Sequence, residues 1–362
     1  MGSNAASDPV GDLSNDILLL HLPLPPDEKW IARVETKFPG LKVRWVTRPK
    51  PDFTPIVLPE EVFEGVTMIC SLTPHPAEMM PKVRYVQVAS SGADLWLNHP
   101  LYQNPNVIFC TANGTTPPQI AEWVIGTWLM MGHHFLEYSA QQQEAKFNRL
   151  LHLNVEDSPG KRMGILGYGA IGRQCAKLAQ ALGMEVYAYT RSERSTPKSR
   201  RDDSYVVPGT GDPEGLIPTK WFHGATSEAV DTFLAQDLDI LVLSLPLTES
   251  SRRIIGPEQF EILARNKTFV SNIARGAHID TDALLDALVT GKIRGAALDV
   301  TDPEPLPDGH PLFTAPNIFI SPHVAWQTPH YFQRVQAIIE RNLEGLLGNG
   351  KMINVMNREH HY

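Results

Sequence analysis

The sequence predicts an α/β protein of two domains, each built on a parallel, doubly wound sheet, and three observations carry that prediction. Short apolar runs alternate with helix-compatible stretches along both halves of the chain. A glycine-rich turn lies between one such run and a helix in the second half, and 362 residues exceed what one ordinary core organises. With 42% hydrophobic and 20% charged residues the composition suits a globular chain, and no apolar run reaches the ~20 residues of a spanning helix, so no membrane partner is expected. A net charge of −8 gives no general attraction for nucleic acid. Cys70, Cys110 and Cys175 lie far apart in apolar or helical surroundings. That suits buried thiols in a reducing, cytoplasmic setting better than a disulfide framework or zinc site, and no metal is expected. The opening MGSNAASDPVGD reads as a mobile leader without a secretory signal.

In the first half the apolar runs are ILLLHL (17–22), VRWV (43–46), VTMIC (66–70), VRYVQVA (83–89) and VIFCTA (107–112). Between the first two, Asp27 is placed to cap a helix carrying Trp30, Ile31, Val34 and Phe38 at helical spacing, a crossover that makes the neighbouring strands parallel. After ANGTTPP, the segment PQIAEWVIGTWLMMGHHF predicts a helix of about five turns, uninterrupted by internal proline and bridging the domains. The second series is MGILGYG, EVYAYT, ILVLSLP, TFVSNI, AALDV and IFISP. It is broken by residues 191–220, whose Ser, Pro, Gly, Asp and Arg predict an irregular surface excursion. Finally, YFQRVQAIIERNLEGLLGNG sets Phe332, Val335, Ile338, Ile339, Leu343 and Leu346 on one helical face, a helix expected to return to the first domain.

The segment MGILGYGAIGRQCAKLAQALG spaces Gly167, Gly169 and Gly172 as G-x-G-x-x-G after a strand and before a helix, the context of a Rossmann-like dinucleotide site. Gly167 serves the tight turn, Gly169 the approach of the pyrophosphate, and Gly172 the close packing of helix on strand. Ala170 and Ile171 open the helix whose free amides face the anion. At the end of EVYAYT an acidic residue would bind ribose hydroxyls, but that position is Thr190. Arg191, Ser192 and Arg194 follow, groups able to hold a 2′-phosphate, so NADP is expected ahead of NAD. The competing reading is a solvated basic loop.

Arg275 in SNIARGAHID, Glu304 in LDVTDPEPLP and His323 in ISPHVAWQTP stand at the ends of predicted strands, where catalytic groups of open α/β sheets gather. Together with ASSGAD, GILGYGAIGR and LPLTESS, these motifs run in order from about residue 83 to 330. The chain thereby resembles the D-isomer-specific 2-hydroxyacid dehydrogenases, the glyoxylate and hydroxypyruvate reductases among them.

The resemblance implies hydride transfer between NAD(P)H and a small 2-oxo acid. Arg275 orients the substrate, His323 is the acid/base and Glu304 its carboxylate partner. Those types suit the task, because an imidazolium can protonate the developing oxyanion, a carboxylate fixes the ring, and a guanidinium stays charged while gripping a carboxylate.

The resemblance further implies that Ser91 and Gly92 hold the substrate carboxylate through backbone N–H groups. Asp299 contacts the nicotinamide carboxamide or caps a strand end, and Leu245 and Pro246 flank the adenine or merely end a strand. Trp326 narrows the substrate pocket or braces the chain beside it. A discontinuous substrate-binding domain, 1–118 plus 327–362, surrounds a dinucleotide-binding domain, 119–326, with the active site in the cleft between them. The unit is a homodimer joined near Trp123 and Trp128, unless those tryptophans are intrachain core. Glu304 argues against a formate dehydrogenase, which pairs the histidine with glutamine. A nucleotide-sensing scaffold or corepressor of the same fold stays open as an alternative.

Overall fold

The computed structural model describes residues 12–50, 54–152 and 155–359, so most of the N-terminal leader lies outside the described residues. The chain divides into two compact units, Met1–Thr115 with Pro329–Tyr362, and Thr116–Thr328.

In the first unit, β1 (Ile17–Leu22), β2 (Lys42–Thr47), β3 (Met68–Ser71), β4 (Tyr85–Val88) and β5 (Ile108–Cys110) form a parallel sheet in the order β2-β1-β3-β4-β5. Asp27 caps α1 (Glu28–Lys37) by accepting from the Trp30 amide at 3.0 Å, and Trp30 and Val34 are buried as their spacing requires. A short α2 (Pro100–Gln103) precedes β5. The apolar core gathers Leu19, Ile69, Val86, Trp96 and Phe109.

At the heart of this unit His21 and His75 are buried together, their rings tilted by 37° and Nδ1 of His21 3.1 Å from Nε2 of His75. Burial, reinforced by the charge of Arg48, lowers His21 to about 4; burial, with His21 and Arg48 behind it, lowers His75 to about 4. A histidine in the unfolded chain titrates near 6.5, so between pH 4 and 6.5 the unfolded state binds more protons and stability rises with pH. Acidification across that window should remove on the order of 3 kcal/mol per histidine. The expected observation is a steep fall in Tm below pH 6.5; a Tm flat from pH 7 to 4.5 would contradict it.

In the second unit, β6 (Arg162–Leu166), β7 (Glu185–Thr190), β8 (Lys220–His223), β9 (Ile240–Leu243), β10 (Phe269–Asn272), β11 (Gly295–Leu298) and β12 (Ile318–Ile320) form a parallel sheet in the order β12-β11-β10-β9-β6-β7-β8. The helices are α3 (Pro117–Gly132), α4 (Phe135–Gln143), α5 (Ala170–Ala181), α6 (Pro197–Arg200), α7 (Ser227–Leu234), α8 (Pro257–Leu263) and α9 (Thr281–Val289). β9 reads ILVL, and β6, β9 and β10 are buried along almost their whole length, because both faces of a parallel sheet are covered. β6 has β7 on one side and β9 on the other, so the winding reverses there. α10 (Tyr331–Leu346) belongs to the first unit, where its Tyr331 hydroxyl donates to the Ala89 carbonyl at 2.8 Å and its Asn342 approaches Tyr85 at 3.3 Å.

Three sequence expectations need correction. The interruption at 191–220 holds α6 and ends in β8, a half-exposed edge strand whose Trp221 and Phe222 were hidden by the polar residues before them. The five-turn helix stops at Gly132, because His134 takes a left-handed conformation (φ 56°) and starts α4 in a new direction. Trp128 is intrachain core, donating to the Ser158 hydroxyl at 3.0 Å and meeting Phe269 edge-on. A run of exposed apolar side chains follows further on, at Phe135, Leu136, Phe147, Leu150 and Leu151, with Phe147 96% exposed. The three cysteines are free and buried, as their surroundings predict.

Candidate active site

The glycine turn follows β6, at the point where the winding reverses. Gly167 has φ +103°, and a methyl group there would lie 2.4 Å from the Ser244 carbonyl oxygen. Gly172 is equally crowded, its added Cβ falling 2.5 Å from Gly167 O, so α5 can sit on β6 only with glycine at this position. Gly169 differs: a Cβ there meets nothing within 4 Å. Open space before Gly169, which caps α5, together with the first-turn amides of Ala170 and Ile171 that have no helical acceptor, is a cradle fit for an anionic pyrophosphate.

At the end of β7 the Thr190 hydroxyl donates to Ser192 O at 2.8 Å. Arg191 and Ser192 are exposed, and Arg191 makes no hydrogen bond or ion pair among the described residues. Arg194 commits one nitrogen to Ser199 O at 2.6 Å. Across the turn, Leu245 is half-buried and Pro246 exposed after β9.

β10 ends at Asn272, whose side chain accepts from the Ala274 amide at 3.1 Å and donates to Arg275 O at 2.9 Å, shaping the loop that presents Arg275. His278, which sequence reasoning passed over within ARGAHID, is buried beneath it with Nδ1 3.1 Å from Arg275 O and Nε2 3.3 Å from Pro246 O. Burial lowers its pKa against the raising effect of the two carbonyls, and as a neutral ring it donates to one of them. Gly276 was also missed. A Cβ there would lie 1.9 Å from the Thr301 carbonyl, so the loop bearing Arg275 and the loop bearing Glu304 touch backbone to backbone.

The loop after β12 is built around Asp299, at the end of β11. Its carboxylate accepts from the Ser321 hydroxyl at 2.6 Å and from the amides of Val324 and Ala325 at 2.9 and 3.0 Å, while its carbonyl accepts from the His323 amide at 2.8 Å. Burial raises the Asp299 pKa against the lowering effect of those bonds. These bonds are those of a cap. Trp326 donates from Nε1 to His323 O at 3.0 Å, so it braces the loop.

Held in this way, His323 sits at φ +55° with Nδ1 2.6 Å from Glu304 Oε1. Burial pulls the Glu304 pKa up, but the hydrogen bond and charge of His323, the Thr301 amide and the charge of Arg275 outweigh it, and the net shift is downward. Glu304 is therefore a carboxylate at neutral pH. Arg275, Glu304 and His323 thus form one electrostatic group at the carboxyl edge of the sheet that carries the glycine turn. In the first unit, Ser91 and Gly92 lie on the loop after β4, where Ser90 Oγ donates to Gly92 O at 2.7 Å.

Elsewhere His134, Glu137 and His152 bring three donor atoms within 4.8 Å of one another. The two imidazoles stack in parallel, 3° apart with centroids at 3.6 Å, and both contact Glu137. Stacked rings hold their in-plane lone pairs side by side instead of converging on a tetrahedral centre. Among the described residues no helix is long and apolar enough to cross a membrane.

The family model described as D-isomer specific 2-hydroxyacid dehydrogenase, NAD binding domain, matches residues 125–208 and 213–325, leaving 209–212 between the two stretches. A hydroxypyruvate reductase of Blautia hydrogenotrophica is 30% identical over 295 residues, 79% of this chain and 83% of its own length. A glycerate dehydrogenase of Methylorubrum extorquens is 29% identical over 286 residues, 77% and 80% respectively. The crystal structure of a D-isomer specific 2-hydroxyacid dehydrogenase from Xanthobacter autotrophicus, in complex with NADPH and MES, has a TM-score of 0.73 at 24% identity. It covers 96% of this chain and 100% of that one, a likeness in fold.

Proposed function

The chain belongs to the D-isomer specific 2-hydroxyacid dehydrogenases, and on that premise we propose that it reduces a small 2-oxo acid to the D-2-hydroxy acid, with NADPH preferred over NADH. The observation that carries the reading is the 2.6 Å contact of His323 Nδ1 with Glu304 Oε1, beside Arg275, on the edge of the sheet that holds the glycine turn.

A dinucleotide with its pyrophosphate on the amides of Ala170 and Ile171 would supply the hydride from its nicotinamide. With Nδ1 held by Glu304, His323 transfers its proton from Nε2 to the oxygen of the former carbonyl. Glu304 fixes the ring's tautomer and balances the imidazolium. Arg275 pairs with the substrate carboxylate and sets the face presented for reduction. Thr190 puts no acidic group at the end of β7, and the exposed Arg191 offers a 2′-phosphate a fork of donors, which supports NADPH.

The test is a panel of 2-oxo acids, glyoxylate and hydroxypyruvate included, followed at the NADPH absorbance band. Charge-assisted hydrogen bonds to the phosphate should put kcat/KM for NADPH at least about tenfold above that for NADH. A higher value with NADH would reject the cofactor preference, and no turnover with any oxo acid would reject the reductase.

The apolar side chains of 135–151 support a homodimer through that surface in place of Trp123 and Trp128. Sedimentation at micromolar concentration should give twice the chain mass, and a monomer would dismiss the assignment.

A further inference from the structure

The excursion between β7 and β8 is fastened to the glycine turn, not draped over the surface. Tyr168, between Gly167 and Gly169, is buried, and its hydroxyl donates to Asp212 Oδ2 at 2.8 Å. The same carboxylate, also buried, accepts from the amides of Leu216 and Ile217 at 2.9 and 3.1 Å. From the first turn of α5, Arg173 donates to Asp212 O at 2.5 Å and to Arg200 O at 2.7 Å; Gln174 accepts from the Gly211 amide at 2.6 Å. Arg200 in turn donates to Arg194 O at 2.8 Å and lies over the Trp221 ring, which meets Tyr168 edge-on. A continuous chain of buried or half-buried contacts therefore runs from the glycine turn through Asp212 to the basic loop at 191–194. Asp212 lies in the four-residue gap between the two stretches that match the family model.

We propose that Asp212, seated on Tyr168, is a positioning residue for cofactor specificity: it sets where the basic loop stands relative to the glycine turn, and so the margin by which NADPH is favoured over NADH. This rests on the NADPH reading above. Guanidinium–phosphate bonds are directional, so a loop free to drift forfeits them, whereas the pyrophosphate cradle at Gly169 belongs to α5 and does not depend on the loop.

The experiment measures Kd for NADP⁺ and NAD⁺ by titration calorimetry, alongside kcat/KM for NADPH and NADH, in the unaltered chain, Asp212→Ala and Tyr168→Phe. Tyr168→Phe removes a single oxygen and keeps the ring's packing, so it reports even if Asp212→Ala folds poorly. The expected result is NADP⁺ binding weakened about tenfold with NAD⁺ binding changed by less than about twofold, because the lost bonds are those to the phosphate. A parallel loss for both cofactors, or an unchanged ratio in a chain that favours NADP⁺, would overturn the proposal and leave the NADPH reading standing. Preference for NAD⁺ in the unaltered chain would overturn the NADPH reading itself and this proposal with it.

Discussion

Replacing His323 with glutamine is expected to lower kcat about 10²- to 10⁴-fold, the usual worth of a positioned acid, while changing the Kd for NADPH little. Glutamine can still donate its amide N–H to Glu304 but cannot deliver a proton from the position of Nε2. The loop should survive the exchange, because its shape does not depend on the imidazole. The His323 amide is held by the carbonyls of Asp299 and Ser321, its carbonyl by Trp326, and the next two amides by the Asp299 carboxylate. Those bonds keep the residue at φ +55°, a region that disfavours branched side chains and costs on the order of 1 kcal/mol, and they aim the ring at Glu304. An unchanged Tm with the fallen kcat would assign the loss to chemistry. Activity within about tenfold of the unaltered chain would remove His323 as the acid.

Much of the frame was open to reading from the residues, for a physical reason. Strands buried on both faces must be nearly all apolar, so ILLLHL, MGILG and ILVLSLP stand out, and Asp27 before a helical stripe marks its own cap. The strand missed was β8, at the edge of the sheet, where one side needs no apolar cover and the burial signal fails. In the site, Arg275, Glu304 and His323 were visible because each stands in a motif at the end of an apolar run, where catalytic groups of such sheets gather. The long-range bonds that hold them were not, even where the residue itself, Asp299, was named. Asp299 caps a loop 22 positions away and Asp212 a tyrosine 44 positions back, distances along the chain that no local period encodes. His278 resembles any interior histidine until the carbonyls at its two nitrogens are seen. The glycines divide in the same way. Gly167 and Gly172 were legible through their motif, while Gly276 is explained only by the backbone of residue 301, which lies on another strand's loop.

That last contact gives the second large effect. Gly276→Ala is expected to lower kcat/KM about 100-fold, since misplacing a catalytic group by roughly 1 Å is enough for such a loss. The added Cβ would start 1.9 Å from both the carbonyl carbon and oxygen of Thr301, and 2.5 Å from the Asp302 amide. These are backbone atoms, so no rotamer change relieves the clash and one loop must retreat. Asp302 O is itself tied to the Thr281 hydroxyl at 2.7 Å, which resists movement of the Glu304 loop as a whole. Separation of the loops draws Arg275 away from Glu304, and the downward pull of Arg275 on the carboxyl weakens with distance. Overpacking of this kind also costs about 1–3 kcal/mol, so a lowered Tm should accompany the kinetic loss. Gly126→Ala supplies the contrast, because a Cβ at that exposed position of α3 meets nothing within 4 Å. There the exchange should leave kcat/KM unchanged and raise stability by up to about 1 kcal/mol through helix propensity. If Gly276→Ala kept kcat/KM within about twofold, the backbone contact would not be what sets the spacing of Arg275 and Glu304.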